Sequence, residues 1–253
     1  MTGLEVLGVT ALGLVSGVLI GCVGIGGVIL VPALAYLGGF PIHAAIPAAM
    51  AAYLISGAIG TFAYWRAGSV PWAMARPLFL GAMPSALVGA LASTVAPAGL
   101  LEASIGILTA ASGLNTWLDR KPDAGRPDIG LSGRQLSIAG IVTGFASALT
   151  GTGGPLVLVP ILMWLKCPVL TSVGMAQVIQ LPIALLASVA NVWTGSIDAG
   201  LAAILGLGLA FGTWGGAKIA HAVPRQTLKK LVAVVLAVVG AVILAKVGWR
   251  QLG

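Results

Sequence analysis

The chain has 253 residues, of which 58% are hydrophobic and only 8% charged, and its mean hydropathy is +1.07. So little polar surface excludes an ordinary water-soluble domain and predicts a membrane protein surrounded by the lipid bilayer. The net charge of +7 comes from Lys and Arg in short loops between apolar segments, which indicates membrane topology. We therefore expect no nucleic-acid partner. Cys22 and Cys167 form no CxxC pair, so neither a zinc site nor a disulfide framework is expected, and no cofactor.

Apolar segments follow one another along the chain. In the first half they cover residues 4–22, 28–38, 42–65, 72–95 and 99–118, and in the second half 135–150, 155–165, 169–193, 199–221 and 227–247. Segments of roughly 20 residues cross a ~30 Å hydrocarbon core as helices, because lipid cannot satisfy exposed backbone. The segments 28–38 and 155–165 have eleven residues each. They would extend only ~16 Å as helix, so we predict two half-helices.

The two halves of the chain are copies of one another. A shift of 127 residues carries ten of the nineteen glycines in residues 1–126 onto another glycine, where random placement gives about three. One long unit repeated once in an apolar chain is typical of membrane proteins built from two structural repeats. The sequence thus predicts an all-α polytopic protein with repeats at 1–118 and 135–253. A polar cytoplasmic linker at 119–134 joins them in a single integral membrane domain.

The loop charges predict that the two repeats have inverted topology. Arg66 and Arg76 flank the loop after segment 42–65, whereas the matching loop after segment 169–193 contains Asp198 and no Lys or Arg. In the following loop the pattern reverses, since residues 95–100 carry no base and residues 218–230 carry four. By the positive-inside rule, corresponding loops then face opposite sides of the membrane.

A glycine tract precedes each short segment, Gly24-Ile25-Gly26-Gly27 in the first half and Gly151-Thr152-Gly153-Gly154 in the second. Glycine interrupts helices, and the N-terminus of the following half-helix offers unpaired N–H groups and the positive end of a helix dipole. Inversion would bring two such ends together near the bilayer midplane. We therefore predict an anion-binding site in which the backbone binds the ligand, at Gly24, Gly26, Gly27, Gly151, Gly153 and Gly154. Close helix packing is the alternative explanation for the glycines.

Four polar side chains near the tracts are candidate substrate ligands. Thr150 and Thr152 flank the second tract, and their hydroxyls can donate either to an oxyanion or to a carbonyl one turn earlier. Gln177 and Gln180 lie one turn apart in a later apolar segment. An amide in hydrocarbon is costly unless paired, so these two either join helices or contact substrate.

Three further residues are weaker candidates. Cys22 stands beside the first tract and either lines the cavity or fills apolar space. His43 follows Pro41 and is read as an interfacial residue, with a proton carrier as the alternative. Asn191 is read as a helix-joining residue. We expect no catalytic residues and no metal ligands.

The tract pattern resembles a known family. Gly24-x-Gly26-Gly27-x4-Pro32 and Gly151-x-Gly153-Gly154-x5-Pro160 are each followed by a proline, Pro41 or Pro168, and then a long helix. With the stretches 66–72 and 194–198, these patterns resemble the sulfite exporter TauE/SafE family over nearly the whole chain. The resemblance implies a secondary transporter of the inner membrane for small sulfur-containing or organic anions such as sulfite, sulfonates or sulfoacetate, without an ATPase. One departure is Ile46-Pro47-Ala48-Ala49, where many relatives have a Gly-Thr-Ser type tract.

We therefore expect an anion transporter working by alternating access. An enzyme would need a nucleophile with its base, a metal cluster or paired carboxylates, and the few acids here lie near segment ends or in loops. An anion channel, or a cation- or proton-coupled transporter of another substrate, are the alternatives. The sequence leaves open a coupling proton or ion, the direction of transport, and the oligomeric state, including a homodimer.

Overall fold

The computed structural model describes most of the membrane-spanning chain. The described residues are 3–24, 26–97, 99–101, 103, 104, 107, 130–195, 197–224, 227, 230, 231, 234, 238 and 241. Of the predicted segments, 99–118 and 227–247 lie largely outside the described residues, and so does most of the linker 119–134.

Eight α-helices make up the described part of the chain, and it contains no strand. They are α1 (Gly3–Val23), α2 (Gly27–Tyr36), α3 (Ile42–Arg66), α4 (Trp72–Val95), α5 (Gly133–Thr150), α6 (Pro155–Trp164), α7 (Val169–Trp193) and α8 (Ala199–Ala222). Among these, α1, α3, α4, α7 and α8 are long and apolar enough to cross a membrane. Helices α2 and α6 have ten residues each, about 15 Å or half the hydrocarbon core. The prediction of an all-α polytopic membrane protein is confirmed.

Helix positions follow the 127-residue shift between the halves. Ile42 and Val169 begin α3 and α7, and the two helices also end 127 residues apart, as do α4 and α8. The packing of the helices follows the same equivalence. Helix α1 packs most extensively against α8, and its counterpart α5 packs against α4, the counterpart of α8. The described helices of the two halves therefore occupy equivalent positions in the fold, and each half contributes one helix to each of these pairs.

Helices α1 and α8 approach closely because glycines face each other along the contact. A Cβ atom at Gly17 would lie 2.8 Å from the carbonyl oxygen of Leu209, and one at Gly208 would lie 2.6 Å from that of Thr10. Gly13 faces Gly208 and Gly17 faces Gly212 in order, so the two helices run in the same direction. Many of the glycines that repeat between the halves thus serve helix packing, as small residues do in membranes.

Helices α3 and α7 cross at the centre of the protein. They are the most buried of the membrane-spanning candidates, because 61% of the residues in the apolar stretch of α3 and 72% of those in α7 lie inside the protein. Gly57 lies beside Leu181, and Gly60, three residues further along α3, lies beside Gln177 on the preceding turn of α7. The two equivalent helices therefore run antiparallel.

The short helices are enclosed, whereas the long helices are exposed at the periphery. Side chains on all sides of α2 and α6 are buried, which explains why both are apolar all round. On the outer helices, by contrast, Leu80 is 76% exposed and Phe211 73% exposed. Large apolar side chains in such positions contact lipid, which makes the chain a multi-pass membrane protein.

Candidate functional site

The first break separates α1 from α2. Gly24 has φ +79°, a left-handed conformation that favours glycine, and its N–H donates to the carbonyl oxygens of Leu19 (3.1 Å) and Ile20 (2.9 Å). Gly26 occupies the N-cap position of α2 and provides no side-chain cap. The first turn of a helix leaves N–H groups without intrahelical acceptors, and at α2 no capping side chain covers them.

The second break separates α5 from α6 and has a different backbone. Gly151, Gly153 and Gly154 all have positive φ, at +70°, +80° and +108°. Gly154 is the N-cap of α6 and also provides no side-chain cap, while Pro155 stands in the first turn of the helix. Proline has no N–H, so the second break offers one backbone donor fewer than a helix start usually does.

The two breaks contact each other inside the protein. Gly27, the first residue of α2, touches the carbonyl group of Thr152 so closely that a Cβ atom would overlap it. A Cβ at Gly24 would lie 3.2 Å from the Cβ of Pro155 at the start of α6. The N-terminal ends of both half-helices, with their positive dipole ends, are thus brought to one place.

The two threonines of the second break are hydrogen-bonded to the protein. The Thr150 hydroxyl donates to the Ala146 carbonyl one turn earlier, at 2.6 Å, and its oxygen lies 3.0 Å from the Thr152 hydroxyl. Because the single Thr150 proton is used on Ala146, Thr152 is the donor of the second bond. Thr150 thus adopts the back-bonded alternative, and Thr152 would have to rotate to donate to an anion.

Gln177 is wholly buried and keeps hydrogen-bonding capacity to spare. Its Nε2 donates to the Ile20 carbonyl at 2.7 Å, next to the end of α1. Since a carbonyl can only accept, this bond fixes the orientation of the amide. One N–H remains, and the Oε1 atom has no partner among the described residues. Gln177 can therefore both donate to a ligand and accept from one.

Gln180 joins two helices. Its Nε2 donates to the Tyr53 carbonyl (3.2 Å) and to the Ser56 hydroxyl (2.6 Å), both on α3. Both amide hydrogens are then in use, and Oε1 is left as an acceptor. Of the two glutamines, Gln180 is accounted for by interhelical bonding, and Gln177 is the one that retains a donor.

The three weaker candidates lie at helix ends. Cys22 is buried near the end of α1. His43 is exposed at the start of α3, where it lines a small pocket of about 50 Å³ with Ser93 and Thr94. Asn191 is buried near the end of α7, and its Oδ1 has no partner within the described chain.

Tyr53 lies at the candidate site, although the sequence did not single it out. It is wholly buried on α3, its hydroxyl makes a long hydrogen bond (3.4 Å) to the Gly27 carbonyl, and its ring lies against Gly153. It therefore lies between the two breaks. The repeat could have indicated it. Tyr53 and Gln180 are 127 residues apart and so are equivalent positions of the two halves, and Gln180 donates to the Tyr53 carbonyl.

The site offers neutral donors and acceptors. The two carboxylates among the described residues, Glu5 and Asp198, lie in the first turn of α1 and at the N-cap of α8. In the same part of the chain, no three His, Cys, Asp or Glu side chains come together as a metal site would require. The arrangement can bind a ligand through helix dipoles and amide groups, as in secondary transporters with broken helices.

Fold and site together define the class: a multi-pass membrane transporter with two repeats and paired broken helices. The family model described as "Sulfite exporter TauE/SafE" matches residues 9–243, so the chain belongs to this family.

Two curated relatives align with nearly the whole chain. Probable membrane transporter protein YdhB of Bacillus subtilis (strain 168) is 25% identical over 237 residues, covering 90% of this chain and 96% of the relative. Probable membrane transporter protein YunE of the same organism is 24% identical over 254 residues, covering 90% and 92%. Both names denote transporters. No solved structure matches the chain.

Proposed function

We propose that this protein carries a small oxyanion across the inner membrane through the place where its two helix breaks meet. The observation behind the proposal is the contact between the N-terminal ends of α2 and α6, neither of which has a side-chain cap. Unpaired N–H groups and helix dipoles at bilayer depth favour a negative charge. The spare N–H of Gln177 near the end of α1 supplies a neutral side-chain donor.

The surroundings of the breaks favour an anion over a cation. Cation sites at membrane depth normally use Asp or Glu, and residues 11–65, which include α2 and all but the last residue of α3, contain no charged side chain of either sign. The family name points to sulfite as the type of substrate, so small sulfur-containing or organic anions of the sulfite, sulfonate or sulfoacetate type are the proposed cargo.

We infer further that the two repeats have inverted topology and exchange the site between the two sides by rocking against each other. The antiparallel course of the equivalent helices α3 and α7 supports inversion, since repeats of the same orientation would place them parallel. The loop charges support it independently, because Arg66 and Arg76 have no basic counterparts after α7.

Cysteine labelling tests the inversion. Ala67 and Thr194 are exposed residues at the ends of α3 and α7 and are related by the 127-residue shift. We expect a membrane-impermeant maleimide to label Thr194→Cys and not Ala67→Cys in intact spheroplasts, and both after lysis. The native Cys22 and Cys167, both buried, are replaced by alanine in each variant. Labelling of both positions from the same side would refute inversion.

Transport is tested with purified protein in liposomes on a solid-supported membrane. We expect saturable charge movement on jumps of sulfite or an organosulfonate, and acceleration of efflux by the same anion on the opposite side. Countertransport is required of a carrier and absent from a channel. Export of a monoanion would be driven by an inside-negative potential, ~2.3 kcal/mol per charge per 100 mV, whereas uptake would need a coupled proton or ion. A current evoked only by cation or proton jumps would refute the anion site.

A further inference from the structure

A groove lined by two basic side chains lies between the C-terminal ends of α3 and α8. It has a volume of about 560 Å³ and is lined by Arg66 and Lys218, with Trp214, His221 and alanines between them. Neither Arg66 nor Lys218 has a carboxylate partner in the described chain, whose two acids lie in the first turn of α1 and at the N-cap of α8. The groove therefore presents positive charge to an acidic ligand.

Two side chains of the groove, Lys218 and His221, contact other residues of the protein. The Lys218 ammonium lies 5.3 Å from the centre of the Trp214 ring, within the range of a cation–π contact. Nδ1 of His221 lies 2.8 Å from the Ala217 carbonyl oxygen, so it must be the donor, and Nε2 lies 3.1 Å from the Ser69 hydroxyl. Both ring nitrogens of His221 are thus used within the fold, which leaves Arg66 and Lys218 as the groove residues that can bind an acidic group.

Exposed aromatic rings place the groove at the membrane surface. Phe62, Trp65 and Trp214 are 44%, 54% and 39% exposed, and the Phe62 and Trp214 rings are stacked with centroids 6.3 Å apart. Of these residues, the two tryptophans are of the type that gathers at the level of the lipid headgroups. The volume falls in the roughly 300–1,000 Å³ range of pockets that hold drug-sized ligands, far more space than an inorganic oxyanion needs.

The repeat does not duplicate this charge. The residues 127 positions from Arg66 and Lys218 are Trp193 and Leu91, so the equivalent helix ends, which the inverted topology proposed above places on the other side, carry no cation at these positions. By the positive-inside rule the charged groove faces the cytoplasm, the side whose leaflet carries acidic lipids. The scaffold is thus common to both sides, whereas the cations occur on only one.

We propose that this groove is a binding site for an acidic phospholipid of the cytoplasmic leaflet. Arg66 and Lys218 contact the headgroup phosphate, and the glycerol backbone lies along the alanine-lined wall between α3 and α8. Arg and Lys at a membrane surface attract acidic lipid headgroups. The site is separate from the helix breaks and does not depend on which solute crosses the protein.

Native mass spectrometry of the full chain in detergent tests the site with phosphatidylglycerol and phosphatidylcholine of identical acyl chains. We expect wild-type protein to prefer phosphatidylglycerol, and Arg66→Gln with Lys218→Gln to lose roughly fivefold in this preference per cation, about 25-fold together. Arg76→Gln with Lys166→Gln is the matched control. It removes the same charge from exposed residues outside the groove and should keep the preference.

Three results would overturn the proposal. The Arg66/Lys218 double variant could keep the wild-type preference, or the control could lose as much, which would mean non-specific surface attraction. Glycerol 1-phosphate could also bind as tightly as phosphatidylglycerol, in which case the groove takes a soluble organic phosphate. Both double variants change only exposed side chains, so we expect both to stay folded. Their thermal unfolding temperatures, compared with that of the wild type, check this.

Discussion

Replacing Gln177 with leucine should weaken the apparent affinity for the transported anion by about 10- to 100-fold and leave the protein folded. This range corresponds to one hydrogen bond to a charged ligand, about 1.5–3 kcal/mol. The side chains are similar in size, and the Ile20 carbonyl that Gln177 contacts also accepts the Gly24 N–H. Removing the amide therefore leaves no orphaned backbone group at the end of α1. The measurement is peak current against anion concentration in liposomes with equal amounts of protein.

Gln180→Leu is the matched comparison, one turn away on α7. Both of its amide hydrogens bond to α3, so its loss should lower the thermal unfolding temperature while the apparent anion affinity of the folded protein stays near wild type. If Gln177→Leu transports normally, Gln177 does not contact the anion. If Gln180→Leu loses affinity as strongly at unchanged stability, the assignment of the two roles is wrong.

Helix positions were predictable because they depend on local and periodic signals. Each described helix begins and ends within two residues of a predicted apolar segment, and the half-helices α2 and α6 follow their glycine tracts as expected. The 127-residue shift supplied the pairing of elements between the halves. These signals arise from the length of apolar runs and the positions of helix breakers, which need no knowledge of tertiary contacts.

The distribution of hydrogen bonds was not predictable, because it depends on which groups face each other after packing. Thr150 and Thr152 flank the break as the sequence suggests, but the Thr150 hydroxyl donates to the Ala146 carbonyl and the Thr152 hydroxyl donates to Thr150. Gln177 and Gln180 look alike in the sequence. Only the helix arrangement shows that Gln177 donates one N–H to α1, whereas Gln180 donates both of its amide hydrogens to α3.

The separate roles of the glycines were not predictable either, for the same reason. Gly24 and Gly151 have positive φ and end a helix, whereas Gly27 lies inside α2 and is needed for a close approach. The sequence treats all three as members of equivalent tracts. It cannot separate a conformational need from a steric one, because the neighbour that decides the matter, the Thr152 carbonyl, is 125 residues away in the chain.

Gly27→Ala should lower both stability and transport by pushing the two breaks apart. The residue is helical, so alanine suits its backbone and would otherwise favour the helix by up to about 1 kcal/mol. Its Cβ would, however, overlap the Thr152 carbonyl and lie 2.9 Å from the Tyr53 hydroxyl. Overpacking of this kind costs about 1–3 kcal/mol. Because the overlap falls where α2 meets the second break, the anion site should be distorted as well.

Gly215→Ala is the matched control for Gly27→Ala. Gly215 is also helical, in α8, and outside its own stretch of helix no atom of the described residues lies within 4 Å of the position its Cβ would occupy. It should match or exceed wild type in thermal unfolding temperature in detergent, with unchanged anion current in liposomes. If Gly27→Ala behaved like Gly215→Ala in both measurements, the breaks would tolerate separation. The anion would then have to bind somewhere other than their point of contact, since moving the N-terminus of α2 moves the N–H groups proposed to hold it.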